Sequence, residues 1–118
     1  MSAVLVELDS TAMVRLRGEI EMATVNEMMA AVDRTALDRV TLLVLDLAEV
    51  DFMDAAALRA VFRIRDLCEM NHVHLTVIAP RGLAGCVFAI TRASEVLDVV
   101  DDGEGSAVTR GYDGGQPA

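Results

Sequence analysis

Residues 41–47 read TLLVLDL, a run in which only Thr41 and Asp46 are polar. A strand with one wet face alternates apolar and polar side chains. A run that is apolar on both phases describes a strand covered on both faces. Such strands lie in the middle of parallel sheets, and parallel neighbours need crossover connections, usually helices. This heptapeptide points to an α/β chain with at least one central strand.

The flanking segments supply the rest. Residues 3–8 alternate loosely, Asp9 and Ser10 make a turn, and residues 12–16 return, which predicts a hairpin closed by Gly18. Thr24 with Glu27 three residues on has the form of a capping box. It predicts a helix over 25–37 with Val25, Met28, Met29, Val32 and Ala36 near one face. A second helix is expected over Ala55–Met70 and a strand over 73–79, ended by Pro80. A third helix over 83–91 and a short strand over 96–100 follow. Residues 101–118, DDGEGSAVTRGYDGGQPA, are rich in glycine and poor in core formers and are expected to be a flexible tail. The expected fold class is α/β: one domain over residues 1–100, with a mixed, mostly parallel sheet and packed helices.

Charge narrows the partners. The formal net charge is -9 and no basic cluster is visible. Phosphate contacts need positive charge, so nucleic acid and anionic membrane surfaces are excluded as expected partners. No apolar run approaches the roughly 18 residues of a spanning helix, so no membrane insertion is expected. The start, MSAVLVELDS, lacks the pattern of a secretory leader, and a cytoplasmic protein is expected. Cys68 and Cys86 form no metal-type or redox-type pair, though a regulatory disulfide between them stays open.

Two segments carry a resemblance. LRGEIEMATVNEM followed by LLVLDLAEVDFMDAAALRAV resembles a STAS domain of the anti-sigma factor antagonist type, over roughly residues 4–100. That family shows an L-x-G-x-[IL]-[DE] element, then a strand ending in D-L, then F-M-D-S-S-G-L opening a helix. The resemblance implies a non-enzymatic bacterial signalling module. It would capture a serine-kinase-type anti-sigma factor and so regulate transcription. In the family the kinase phosphorylates the second serine, which switches binding off. Here Asp54 matches the motif aspartate, Ala55 and Ala56 replace the two serines, and Ala57 replaces the glycine. Ala56 has no hydroxyl to phosphorylate, so the resemblance implies a binder with no switch at this position. A natural loss and an introduced serine-to-alanine exchange give the same letters. Alanine in place of glycine at 57 firms the helix start by up to about 1 kcal/mol.

The expected partner-binding residues are Asp54, Ala55, Ala56, Ala57, Arg59 and Phe62. Asp54 has two readings, a contact to the partner or a helix N-cap. Helical periodicity puts Ala57, Val61, Ile64 and Cys68 on a core stripe flanked by Ala60 and Leu67. Arg59, Arg63, Asp66 and Glu69 lie opposite, with Leu58, Phe62 and Met70 on or beside that charged side. Phe62 is then either core or an interface anchor with Arg59.

Rival readings follow from other residues. Asp46, Glu49, Asp51 and Asp54 are close in sequence at a strand end, as either a Mg²⁺ site or a solvated acidic loop. No phosphate cradle or Ca-loop spacing accompanies them, so no metal or cofactor is expected. His72 and His74, two apart, would face one way on a strand but do not complete a zinc site. No catalytic constellation is visible, so no enzyme is expected. A scaffold or accessory subunit of a signalling or transport ATPase assembly, and a nucleotide or lipid sensor, are the alternative functions. If the switch has moved, Ser94, Ser10 or a threonine would carry it.

Overall fold

The computed structural model describes residues 1–82 and the backbone of 98–101. The elements are β1 (Ser2–Leu8), β2 (Thr11–Ile20), α1 (Val25–Asp33), a 3₁₀ turn (Leu37–Arg39), β3 (Leu42–Met53), α2 (Ala55–Met70), β4 (His74–Ala79) and β5 (Asp98–Asp101). They form one five-stranded sheet in the order β1-β2-β3-β4-β5. β1 and β2 are antiparallel, and the remaining pairings are parallel. The expected mixed, mostly parallel sheet with packed helices is what the chain forms. The expected third helix over 83–91 and the tail after Asp101 lie outside the described residues.

β3 is the middle strand, parallel to both neighbours, as TLLVLDL requires. Leu43 and Leu45 are fully buried, while Leu42 and Val44 on the other phase are half-buried. One face is therefore sealed and the other only partly covered. Helix α1 packs over β1 and β2, helix α2 over β3 and β4, and the two helices touch. Their buried residues (Met28, Ala31 and Val32; Ala57, Ala60, Val61, Ile64 and Cys68) join Ala12, Val14, Leu16, Leu43, Leu45, Leu75 and Val77 in one core. The predicted core stripe of α2 is correct, except that Leu67 is half-buried.

Five local expectations are corrected. The first helix ends at Asp33, not Leu37: Thr35 is buried and turns its hydroxyl onto the Val32 carbonyl, and Ala36 adopts a left-handed conformation at φ 52°. Ala36 is consequently exposed rather than on the core face. The Thr24 capping box does not form. Thr24 Oγ1 instead accepts from the Glu21 N–H and donates to the Glu19 carbonyl, while the Val25 N–H finds the Glu21 carbonyl. A backbone turn over 21–24 supplies the acceptor that a side chain was expected to supply.

Gly18 does not close the hairpin, which turns at Asp9 and Ser10. It lies inside β2 at φ 100°, where the β2–β3 register shifts. β3 advances from Asp46 to Glu49 while β2 advances from Arg15 to Arg17, and from Val50 to Phe52 while β2 takes one step from Gly18 to Glu19. These bulges carry β3 six residues past its predicted end, to Met53. His72 and His74 do not share a strand face. His72, at φ 59°, is the left-handed residue after α2, and His74 opens β4. The His72 N–H reaches the Glu69 carbonyl and the Val73 N–H the Cys68 carbonyl, a Schellman termination.

Candidate functional site

The end of β3 and the start of α2 are joined through one carboxylate. The Asp54 N–H donates to the Ile20 carbonyl, which ties the strand end to the end of β2. Asp54 Oδ1 accepts from the Ala57 N–H at 2.9 Å, the N-cap bond that the sequence allows. Oδ2 accepts from the Met22 N–H at 3.0 Å, in the loop between β2 and α1. Asp54 therefore holds two chain segments, 32 residues apart in sequence, in one fixed arrangement.

The residues after it divide by exposure. Ala55 is exposed, Ala56 half-buried and Ala57 fully buried. Ala57 is thus part of the core, and Ala55 and Ala56 form the accessible rim of the helix start. Two large apolar side chains flank this rim: Met22 is 74% exposed and Phe52 47%. Sequence reasoning missed both. Phe52 has the same strand phase as the buried Val50, and the bulge between them, set by the register with β2, turns it outward. Nothing in the local pattern marks Met22, because only the fold brings its loop to Asp54.

A family model for the STAS domain matches residues 2–102. The chain belongs to the STAS domain family. Among solved structures, an anti-sigma factor antagonist from Mycobacterium paratuberculosis superposes with a TM-score of 0.77 at 21% identity, covering 95% of this chain and 94% of that one. The anti-sigma factor antagonist SpoIIAA in its unphosphorylated form gives 0.68 at 19% identity, covering 95% and 99%. The Bacillus cell fate determinant SpoIIAA in its phosphorylated form gives 0.68 at 21% identity, covering 92% and 98%. No curated protein matches the sequence at a comparable level of significance.

The other candidates of this STAS domain have different surroundings. Phe62 is half-buried against the core, and the guanidinium above its ring, at 5.6 Å from the centroid, belongs to Arg65. Arg59 is exposed. The four carboxylates go to different partners. Asp46, 5% exposed, accepts from Arg15 Nε and from the Ala48 N–H, both at 3.0 Å. Glu49 faces Arg17 at 3.6 Å, Asp54 caps α2, and Asp51 is exposed. Among the described residues no group of three or more His, Cys, Asp or Glu side chains is placed to hold a metal ion.

A shallow cleft of about 620 Å³ opens past the C-terminal part of β3, lined by Ala48, Glu49, Val50, Asp51, Arg81 and Gly82. Cys68 is 1% exposed, and burial pushes its thiol up to about 11. Its proposed disulfide partner, Cys86, lies outside the described residues. No helix among the described residues is long and apolar enough to cross a membrane.

Proposed function

We propose that this chain is a protein-binding regulator without catalysis of its own, which acts in the bacterial cytoplasm by capturing an anti-sigma factor of the serine-kinase type. The capture surface is the start of α2, with Asp54, Ala55, Ala56, Arg59 and Phe62 along it and Met22 and Phe52 beside it. Ala57, fully buried, serves this surface from beneath rather than by contact.

The observation that carries the reading is the pair of hydrogen bonds that Asp54 accepts, from the Ala57 and Met22 N–H groups. A carboxylate that fixes both the α2 start and the Met22 loop presents an accessible rim with two exposed apolar neighbours as a rigid unit. Rigid surfaces lose little conformational freedom on association. Exposed apolar side chains beside polar ones are where partner contacts concentrate. Ala56 stands where the motif has the phosphorylated serine, so the capture surface stays permanently in its unmodified form.

The test is calorimetric titration of the purified chain against kinase-type anti-sigma factors encoded in the same genome. Ala55→Arg places a large cation on an exposed position and is expected to abolish capture without unfolding the domain. Ala56→Ser, incubated with the captured kinase and ATP, is expected to gain phosphate and release the partner. Capture by no such protein, or capture indifferent to Ala55→Arg, sinks the proposal.

The cleft beside Arg81 gives the small-ligand alternative its one concrete support. Glu49 and Asp51 on its wall repel a polyphosphate, so a thermal shift with GTP is expected to be negligible.

A further inference from the structure

β1 forms one edge of the sheet, and its outward side chains are apolar: Val4 and Val6 are each 53% exposed and Leu8 is 72% exposed. They continue across the same face through their β2 partners Arg15, Met13 and Thr11. Edge strands of this kind are templates for another strand, and proteins that keep them free guard them with lysine, proline or inward charge. β1 reads SAVLVEL and carries neither lysine nor proline; its single charge, Glu7, sits on the helix-facing phase opposite Ala12 and leaves the Val4, Val6 and Leu8 phase unguarded.

We propose that β1 pairs with β1 of a second copy of this chain, antiparallel about a twofold axis at Val6, so that two five-stranded sheets become one. The twofold makes the contact self-complementary. With the axis at Val6, Val6 meets Val6 of the second copy and Val4 meets its Leu8, so every outward apolar residue finds an apolar partner. Glu7 falls opposite Leu5, so no like charges oppose each other along the strand. An axis at Leu5 instead sets Leu8 against Ser2 and wastes the most exposed side chain.

Charge favours β1 over the rest of the surface as the self-contact. The chain has a formal net charge of -9, so most faces of two copies repel. Glu7 is the only ionisable side chain in β1, and Arg15 and Arg17 on the neighbouring strand are paired with Asp46 and Glu49, so this edge carries little of the net charge. Area sets the strength. A stable dimer buries about 800 Å² per partner, more than an edge ribbon of seven residues supplies by itself. The association is therefore weak and reversible, with Kd on the order of micromolar or above. The capture surface at α2 does not enter it, so the two proposals stand or fall separately.

The experiment is sedimentation velocity of the full chain over a hundredfold concentration range, with Val6→Lys and Val6→Thr beside the wild type. The wild type is expected to shift from monomer to dimer with rising concentration. Val6→Lys, which puts two cations face to face on the axis, is expected to weaken the dimer at least tenfold, and Val6→Thr to weaken it less. Val6→Cys is expected to form an intermolecular disulfide under mild oxidation, at a rate well above any wild-type background. Circular dichroism confirms that the variants stay folded. A wild type that is monomeric throughout, a dimer indifferent to Val6→Lys, or a Val6→Cys chain that never cross-links faster than wild type overturns the proposal.

Discussion

Asp54 illustrates how one side chain resolves two readings of a sequence. The cap reading is correct, since Oδ1 accepts from the Ala57 N–H, but the second oxygen does what no local pattern foretold and accepts from the Met22 N–H. The two bonds are separable. Asp54→Ala removes both and is expected to cost about 1–2 kcal/mol, read as a lower urea midpoint. Asp54→Asn keeps an oxygen for Ala57 but offers Met22 an N–H group where it needs an acceptor. Its expected signature is faster hydrogen exchange at the Met22 amide with the Ala57 amide still protected. Equal loss at both amides would mean that the two segments are not held independently. Ala36 gives the opposite sign. A non-glycine residue at φ 52° is strained by its Cβ, so Ala36→Gly is expected to stabilise by about 0.5–1 kcal/mol, somewhat offset by the freer unfolded chain. A raised melting temperature checks it, and a lowered one would mean that the Cβ makes packing contacts worth more than the strain.

At the scale of elements, what was legible depended on whether a strong period or a distant partner decides the outcome. The central position of β3 and the buried stripe of α2 follow from side-chain spacing alone, because burial of Leu43, Leu45, Ala57, Val61 and Ile64 is a local pattern read by the whole fold. The end of β3 was not legible, because two bulges extend it and bulges depend on the register of a neighbouring strand. The end of α1 was missed for a related reason: helical spacing continues to Ala36, but Thr35 is buried and hydrogen-bonded back to Val32, which ends the helix early. Met22 belongs to the same class, exposed beside Asp54 only because a loop folds there. Asp46 shows what stabilises the first bulge. It accepts from the Ala48 N–H at the point where β3 gains its extra residue, and from Arg15 on β2. Asp46→Ala leaves a buried site without its acceptor and is expected to cost about 2 kcal/mol. Arg15→Ala is expected to cost less, since the Arg15 side chain is 52% exposed and the Ala48 bond survives. A urea series in which Arg15→Ala is the more damaging change would place the energy in the ion pair rather than the bulge.

At the scale of the whole molecule, the absence of lysine makes alkaline stability unusually simple to interpret. All ten basic side chains are arginine, which keeps its charge far above pH 11. The usual lysine titration between pH 9 and 11 does not occur, and the side chains that titrate there are the two cysteines and the single tyrosine. Of these, Cys68 is the one built into the described core. Burial favours its neutral thiol, moving it from 9.0 up to about 11. The native state therefore holds this proton at pH values where the unfolded chain has released it. The resulting stabilisation is fully present below about pH 9 and is lost as the pH rises toward 11, with a slope of at most about 1.4 kcal/mol per pH unit. Cys68→Ala removes that titration and leaves a small cavity, so it is expected to lower stability at pH 7 while flattening the decline between pH 9 and 11. Urea midpoints for both chains across that range decide the matter, because parallel curves would show that the buried thiol is not the source of the alkaline loss.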